Sequence, residues 1–194
     1  MLERLKLAEG WSSFFLLWVM LLAAATSISA AAWTAGLGSL AVAASLSLIA
    51  GLLLAKSRFP AAIAHLFSLA YGLFVIGYLV GGMVEKSTWR DRWIELSERG
   101  ATWLTKATSG GTSRDSLMFV LLLVCLFWLL GYIAAWYTFR RPRVWRVLLP
   151  ISLTILVNYY VYTDPRISTR STTSLAPFLA IFVLSSLLYV VRTN

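Results

Sequence analysis

The residues able to do chemistry in this sequence are few and widely separated. His65 is the single histidine and Cys125 the single cysteine. A neutral imidazole can serve as an axial ligand to a haem iron or a chlorophyll magnesium. His65 therefore stands as the one candidate cofactor-binding residue, but no second ligand or motif accompanies it, and a hydrogen bond to a neighbouring helix or a headgroup is its expected role. Cys125 lies between Val124 and Leu126, deep in an apolar run. A thiol nucleophile needs a cation or base to stabilise its thiolate, and hydrocarbon does the opposite, so Cys125 is expected to pack. One cysteine allows no disulfide within the chain and no cysteine-based metal centre. Asn158, Tyr159, Tyr160 and Tyr162 could line a polar pocket; their expected role is an interfacial tyrosine belt, with Asn158 capping or cross-linking helices. No catalytic residue, metal site or cofactor is assigned.

The elements that would have to position these groups are built for lipid. Hydrophobic residues make up 59% of the chain and charged residues 13%, against about 45–50% and about 25% in soluble domains. Residues Gly10 to Ala55, Phe59 to Val84, Leu117 to Tyr137, Val147 to Thr163 and Ser171 to Val191 contain no Asp, Glu, Lys or Arg. A span needs about 20 apolar residues to cross about 30 Å of hydrocarbon. The first run is long enough for two spans and the others for one each. The expected fold is an all-α integral membrane protein, one transmembrane domain over residues 1–194. Six transmembrane helices are placed near residues 11–31, 39–55, 60–83, 117–138, 144–162 and 175–191.

Turn residues separate the spans. Trp33, Thr34, Gly36 and Gly38 mark a tight turn, and Pro60 suits the first turn of the third helix. Pro150 is expected to kink the fifth. Arg4 and Lys6 ahead of an apolar stretch imitate a signal peptide, but the segment is read as a first transmembrane helix. The one long polar stretch, Glu85 to Asp115, sets Trp89, Trp93, Leu96, Trp103 and Leu104 at near-helical spacing between charges. It is expected to form an amphipathic helix over about 88–106 that lies along the bilayer surface, with Gly100 weakening or breaking it. Ser109-Gly110-Gly111-Thr112-Ser113 would then link back to the bilayer.

Gly77 and Gly81 form a GxxxG pair, and Ala43, Ser47 and Gly51 a small-residue stripe. Both let helices approach closely, within the bundle or against another protein. Trp89, Trp93, Trp103, Arg140, Arg141, Arg143, Trp145 and Arg146 are the expected interfacial or headgroup residues.

The net charge of +9 does not indicate nucleic acid, because the cations are confined to short connections between apolar runs rather than clustered on a soluble face. With the N-terminus cytoplasmic, Arg4, Lys6, Lys56, Arg58, Arg140, Arg141, Arg143, Arg146 and Arg192 fall inside. Their density at 140–146 favours that orientation, which also places residue 194 inside. No Asp, Glu, Lys or Arg sits in the interior of an expected span, which argues against a proton-coupled or ion-coupled carrier.

One stretch has a family likeness. Asp115, Leu129-Leu130-Gly131-Tyr132, Ala134-Ala135-Trp136, Phe139-Arg140-Arg141, Trp145 and Leu149-Pro150 resemble the N-terminal membrane region of large bacterial transglutaminase-like membrane proteins. Asn158-Tyr159-Tyr160 and Val191-Arg192-Thr193-Asn194 fit the same pattern. The resemblance implies a bundle in the bacterial cytoplasmic membrane that precedes a papain-like domain with a Cys-His-Asp triad. It implies that the chain continues past Asn194, with at least one more crossing before an extracytoplasmic domain. No catalytic role passes to Cys125, which belongs to the membrane portion. The expected function is a non-enzymatic membrane anchor module whose partners are membrane lipids and other transmembrane subunits. Two alternatives stand beside it: an accessory subunit of an electron-transfer or photosynthetic complex, and a transporter or pigment-binding protein.

Overall fold

The computed structural model describes residues 10–111, 115–163 and 175–193. Arg4, Lys6, Thr112, Ser113, the 164–173 loop and Asn194 lie outside them. Among the described residues there are seven helices and no strand: α1 (Trp11–Ala30), α2 (Ser39–Ala55), α3 (Ala61–Gly81), α4 (Trp89–Thr108), α5 (Ser116–Phe139), α6 (Val144–Thr163) and α7 (Ala176–Thr193). Four of them, α1, α3, α5 and α6, are long and apolar enough to cross a membrane; α2 and α7 are shorter apolar helices.

Local signals explain where the helices begin and end. Gly36 adopts φ +88° in the α1–α2 turn, a conformation open to glycine at no steric cost. Pro60 stands immediately before α3, and its carbonyl accepts from Ala64 N at 3.0 Å. Thr88 caps α4 by accepting from Asp91 N, and Asp91 itself sits in the first turn, where a carboxylate favours the positive end of the helix dipole. Asp115 caps α5 through the backbone N–H groups of Leu117 and Met118. One expectation needs correction. Gly100 does not divide α4, which runs unbroken to Thr108; the helical hydrogen bonds on either side outweigh the modest propensity cost of one glycine. Pro150 lies inside α6 without ending it.

At the centre, α2 lies along α5 with α1 beside both; α7 packs on α1, α6 on α5 and α1, and α3 on α2 and α5. The buried positions of the centre hold many small residues, including Ala23, Ala24, Ala25, Ala43, Ala44, Ala134 and Ala135, while large apolar side chains such as Leu53, Leu66, Phe74, Leu153 and Leu184 point outward. Small residues inside and bulky apolar ones outside is the packing of helices whose solvent is lipid, where close backbone approach supplies the cohesion.

Candidate functional site: an uncharged helix interface closed by two polar ends

The close seam of the bundle is α2 against α5. Ala43 and Ser47 of α2 are fully buried, and the Ser47 hydroxyl sits 3.0 Å from the Ala44 carbonyl oxygen and 3.3 Å from that of Phe127. Gly131 of α5 faces Ser47 so closely that a Cβ there would overlap the hydroxyl, with the Ala44 carbonyl at 2.9 Å. One turn on, a Cβ at Gly51 would lie 2.7 Å from the Ala135 Cβ and 3.3 Å from the Tyr132 backbone. The small-residue stripe on α2 thus meets a second one, Gly131 and Ala135, on α5.

Gly77 and Gly81 have a different use. A Cβ at Gly77 would run into the indole of Trp93, and one at Gly81 would meet Trp89 at 3.1 Å. These glycines are notches in α3 that admit rings from α4, rather than a place where two backbones meet. Tyr78 stacks on Trp89 at 5.1 Å between centroids, and Arg92 lies over the same indole at 4.9 Å. Leu96 is buried and Trp103 partly buried against the core. Arg99 donates to Glu95 at 2.6 Å and lies 3.6 Å from the Asp115 cap, which ties α4 to the start of α5. The Glu95 hydrogen bond, aided by the Asp115 charge, raises the Arg99 pKa above its ordinary value. A cleft of about 370 Å³ opens beside this contact, lined by Thr34, Gly36, Met83, Glu85, Arg99 and Val120 among others.

His65 lies exposed on α3, one turn from its start. Its Nδ1 is 2.7 Å from the Tyr132 hydroxyl, and its ring is 4.5 Å from that of Trp136. Arg140 covers the same Trp136 at 4.8 Å. The Arg140 guanidinium then donates to the carbonyls of Leu54 (3.2 Å), Ser57 (3.3 Å) and Phe59 (2.6 Å). It satisfies carbonyls at the C-terminal end of α2, where a cation also favours the helix dipole. Arg146 donates to the Tyr137 hydroxyl at 2.7 Å. Lys56 lies over the Phe139 ring at 5.9 Å. Arg141, Arg143 and Trp145 are exposed.

Near the opposite end, Asn158 bridges two elements. Its Oδ1 accepts from Trp33 Nε1 at 2.9 Å, and its Nδ2 donates to the Ser27 hydroxyl at 3.1 Å. Tyr162 packs edge-on to Trp33, whereas Tyr159 and Tyr160 are exposed. Cys125 is partly buried and packs against the core. Among the described residues, no three His, Cys, Asp or Glu side chains gather as a metal site would need.

Several residues of this arrangement carried a sequence signal that became readable only with a partner in place. Gly72 is one, standing 2.5 Å (as a Cβ) from Trp128 Nε1, a buried N–H without a partner among the described residues. Thr138 and Tyr189 are another pair, joined at 2.7 Å between α5 and α7. Neither pair is adjacent in sequence, so no local pattern announces it.

The chain's relatives do not extend this picture: no family model matches it, no curated protein is detectably similar in sequence, and no solved structure is similar in fold.

Proposed function

We propose that the chain is a non-enzymatic, multi-pass membrane module, the anchor region of a transglutaminase-like protein of the bacterial cytoplasmic membrane. In this reading α1, α2, α3, α5, α6 and α7 cross the bilayer, and α4 lies along its outer surface. The observation that carries the membrane reading is the belt of large apolar side chains left exposed on α2, α3, α6 and α7. Leu53 and Leu66 are each 65% exposed, Phe74 and Leu153 each 64%. In water such a belt would far exceed the apolar patch a monomer tolerates; in hydrocarbon it costs nothing.

α2 has 17 residues, which rise about 25 Å, short of the about 30 Å hydrocarbon core. Its position between α1 and α5 supports a crossing nonetheless, since those longer helices shield its ends. The orientation follows from charge. Lys56, Arg58, Arg140, Arg141, Arg143, Arg146 and Arg192 gather at the end where α2, α5 and α7 finish, and the described acids, Glu85, Asp91, Glu95, Glu98 and Asp115, all lie toward the other end. Placing the cationic end in the cytoplasm satisfies the bias of Lys and Arg toward that side.

The family assignment rests on the likeness between Asp115 and Pro150. Gly131, Ala135, Trp136 and Arg140 of that stretch seat α5 on α2 and close α2's end, so the motif has a folding role that an anchor would keep.

Impermeant maleimide labelling tests the topology. In a Cys125→Ala background, Lys106→Cys reacts in intact cells, whereas Arg58→Cys reacts only after permeabilisation. The reverse pattern would invert the orientation, and release of the chain by alkaline carbonate would end the membrane reading. Sequencing the transcript beyond Asn194 tests the family: a transglutaminase-like domain is expected downstream.

A further inference from the structure

We propose that residues 56–60 and 140–146 form a docking surface for anionic phospholipid headgroups, with Arg58, Arg141 and Arg143 as the cations that hold the phosphates. This inference rests on the membrane reading above and adds a lipid class to it.

The two connections are fastened together. Arg140 donates to the carbonyls of Ser57 and Phe59, the residues on either side of Arg58, which brings Arg58 alongside the 140–143 elbow. Lys56 lies over Phe139 from the same side. Within this cluster the cations divide into two sets. Arg140 and Arg146 turn inward, to three backbone carbonyls and to the Tyr137 hydroxyl. Arg58, Arg141 and Arg143 are exposed, and their side chains make no hydrogen bond or ion pair with the described residues.

No described acid lies at this end to offset their repulsion. The other end is built differently, since Arg99 there has both Glu95 and Asp115. Exposed guanidinium groups brought together on two adjoining connections match an anionic ligand in charge.

Two exposed rings decide which anion. Phe59 is 45% exposed on the α2–α3 connection and Trp145 70% exposed in the first turn of α6. A free phosphate would leave both rings in water. A phospholipid covers them at the acyl boundary while the arginines reach its headgroup.

The test uses the full chain purified in detergent, incubated with equimolar phosphatidylglycerol and phosphatidylcholine, and read by native mass spectrometry. The wild type is expected to retain phosphatidylglycerol preferentially. R58Q/R141Q/R143Q is expected to reduce that preference by about tenfold or more, since each cation near an anionic surface contributes about 1 kcal/mol. R90Q/R92Q/K106Q, at the other end, keeps it. R58K/R141K/R143K also keeps it, and its melting curve together with that of the glutamine variant separates lost charge from lost fold. Equal retention of both lipids by the wild type, or full preference in a folded glutamine variant, overturns the proposal. Displacement of the lipid by millimolar inorganic phosphate also overturns it, in favour of a soluble anion. Carbonate extraction of the chain from membranes would instead overturn the membrane reading, and is scored separately.

Discussion

Asn158 holds an indole N–H and a serine hydroxyl with the two ends of one amide, and it is buried, so little water can reach it to replace either bond. Asn158→Leu therefore leaves Trp33 and Ser27 without that partner. Unsatisfied buried groups cost about 1–3 kcal/mol in soluble proteins, and helix-bridging hydrogen bonds in membranes couple by about 0.6 and at most about 1.7 kcal/mol. A loss near 1 kcal/mol is expected, read as a lower melting temperature in detergent. In a double-mutant cycle with Trp33→Phe, additive losses would show that the bond does not exist. Gly131 gives the complementary case, a side chain that must be absent. Gly131→Val forces α2 away from α5 at Ser47, with an expected loss of about 1–3 kcal/mol from overpacking. An unchanged melting temperature would mean that the helices are not in contact there.

At the scale of elements, α4 is the one polar helix, and its hold on the bundle is through rings in notches. Trp93→Ala empties the Gly77 notch and weakens docking on α3, so trypsin is expected to cleave at Arg90, Arg92 and Arg99 several-fold faster. The rate of appearance of those cuts measures it; cleavage as slow as in the wild type would place the grip elsewhere. Gly100 has open space where a Cβ would go and a helical backbone. Gly100→Ala should stabilise α4 by about 0.4–1 kcal/mol, chiefly by narrowing the unfolded ensemble, and slow the same cuts. Arg140 operates between elements as well, because α2 ends on its guanidinium. Arg140→Gln should lower the melting temperature more than Arg141→Gln, whose side chain is exposed and without a protein partner among the described residues.

Over the whole molecule, alternating helix directions sort the charges. Apart from α4, the helices carry charged side chains only near their ends, so the connections and α4 carry the electrostatics. The end that holds residues 56–60 and 140–146 is purely cationic among the described residues, while the end that holds Glu85 and Asp115 mixes both signs. The 17-residue α2, the shortest of the helices, lies at the centre, which agrees with its content of Ala, Ser and Gly. Short small-residue helices pack tightly on both sides, and the longer α3 and α6 carry the exposed Leu and Phe at the periphery.

Sequence alone was enough for seven helices, six of them apolar and one amphipathic, because charge exclusion and turn chemistry act along a single stretch of chain. It also marked Gly77, Gly81, Ala43, Ser47 and Gly51 as small for a reason. Which surface fills each gap was decided by tertiary structure. The indoles of α4 enter the α3 notches, Gly131 meets Ser47, and the Arg140 guanidinium reaches the end of α2. Each of these depends on which helices lie side by side. That choice is made by packing between segments as many as 131 residues apart, and periodicity within one segment carries no record of it.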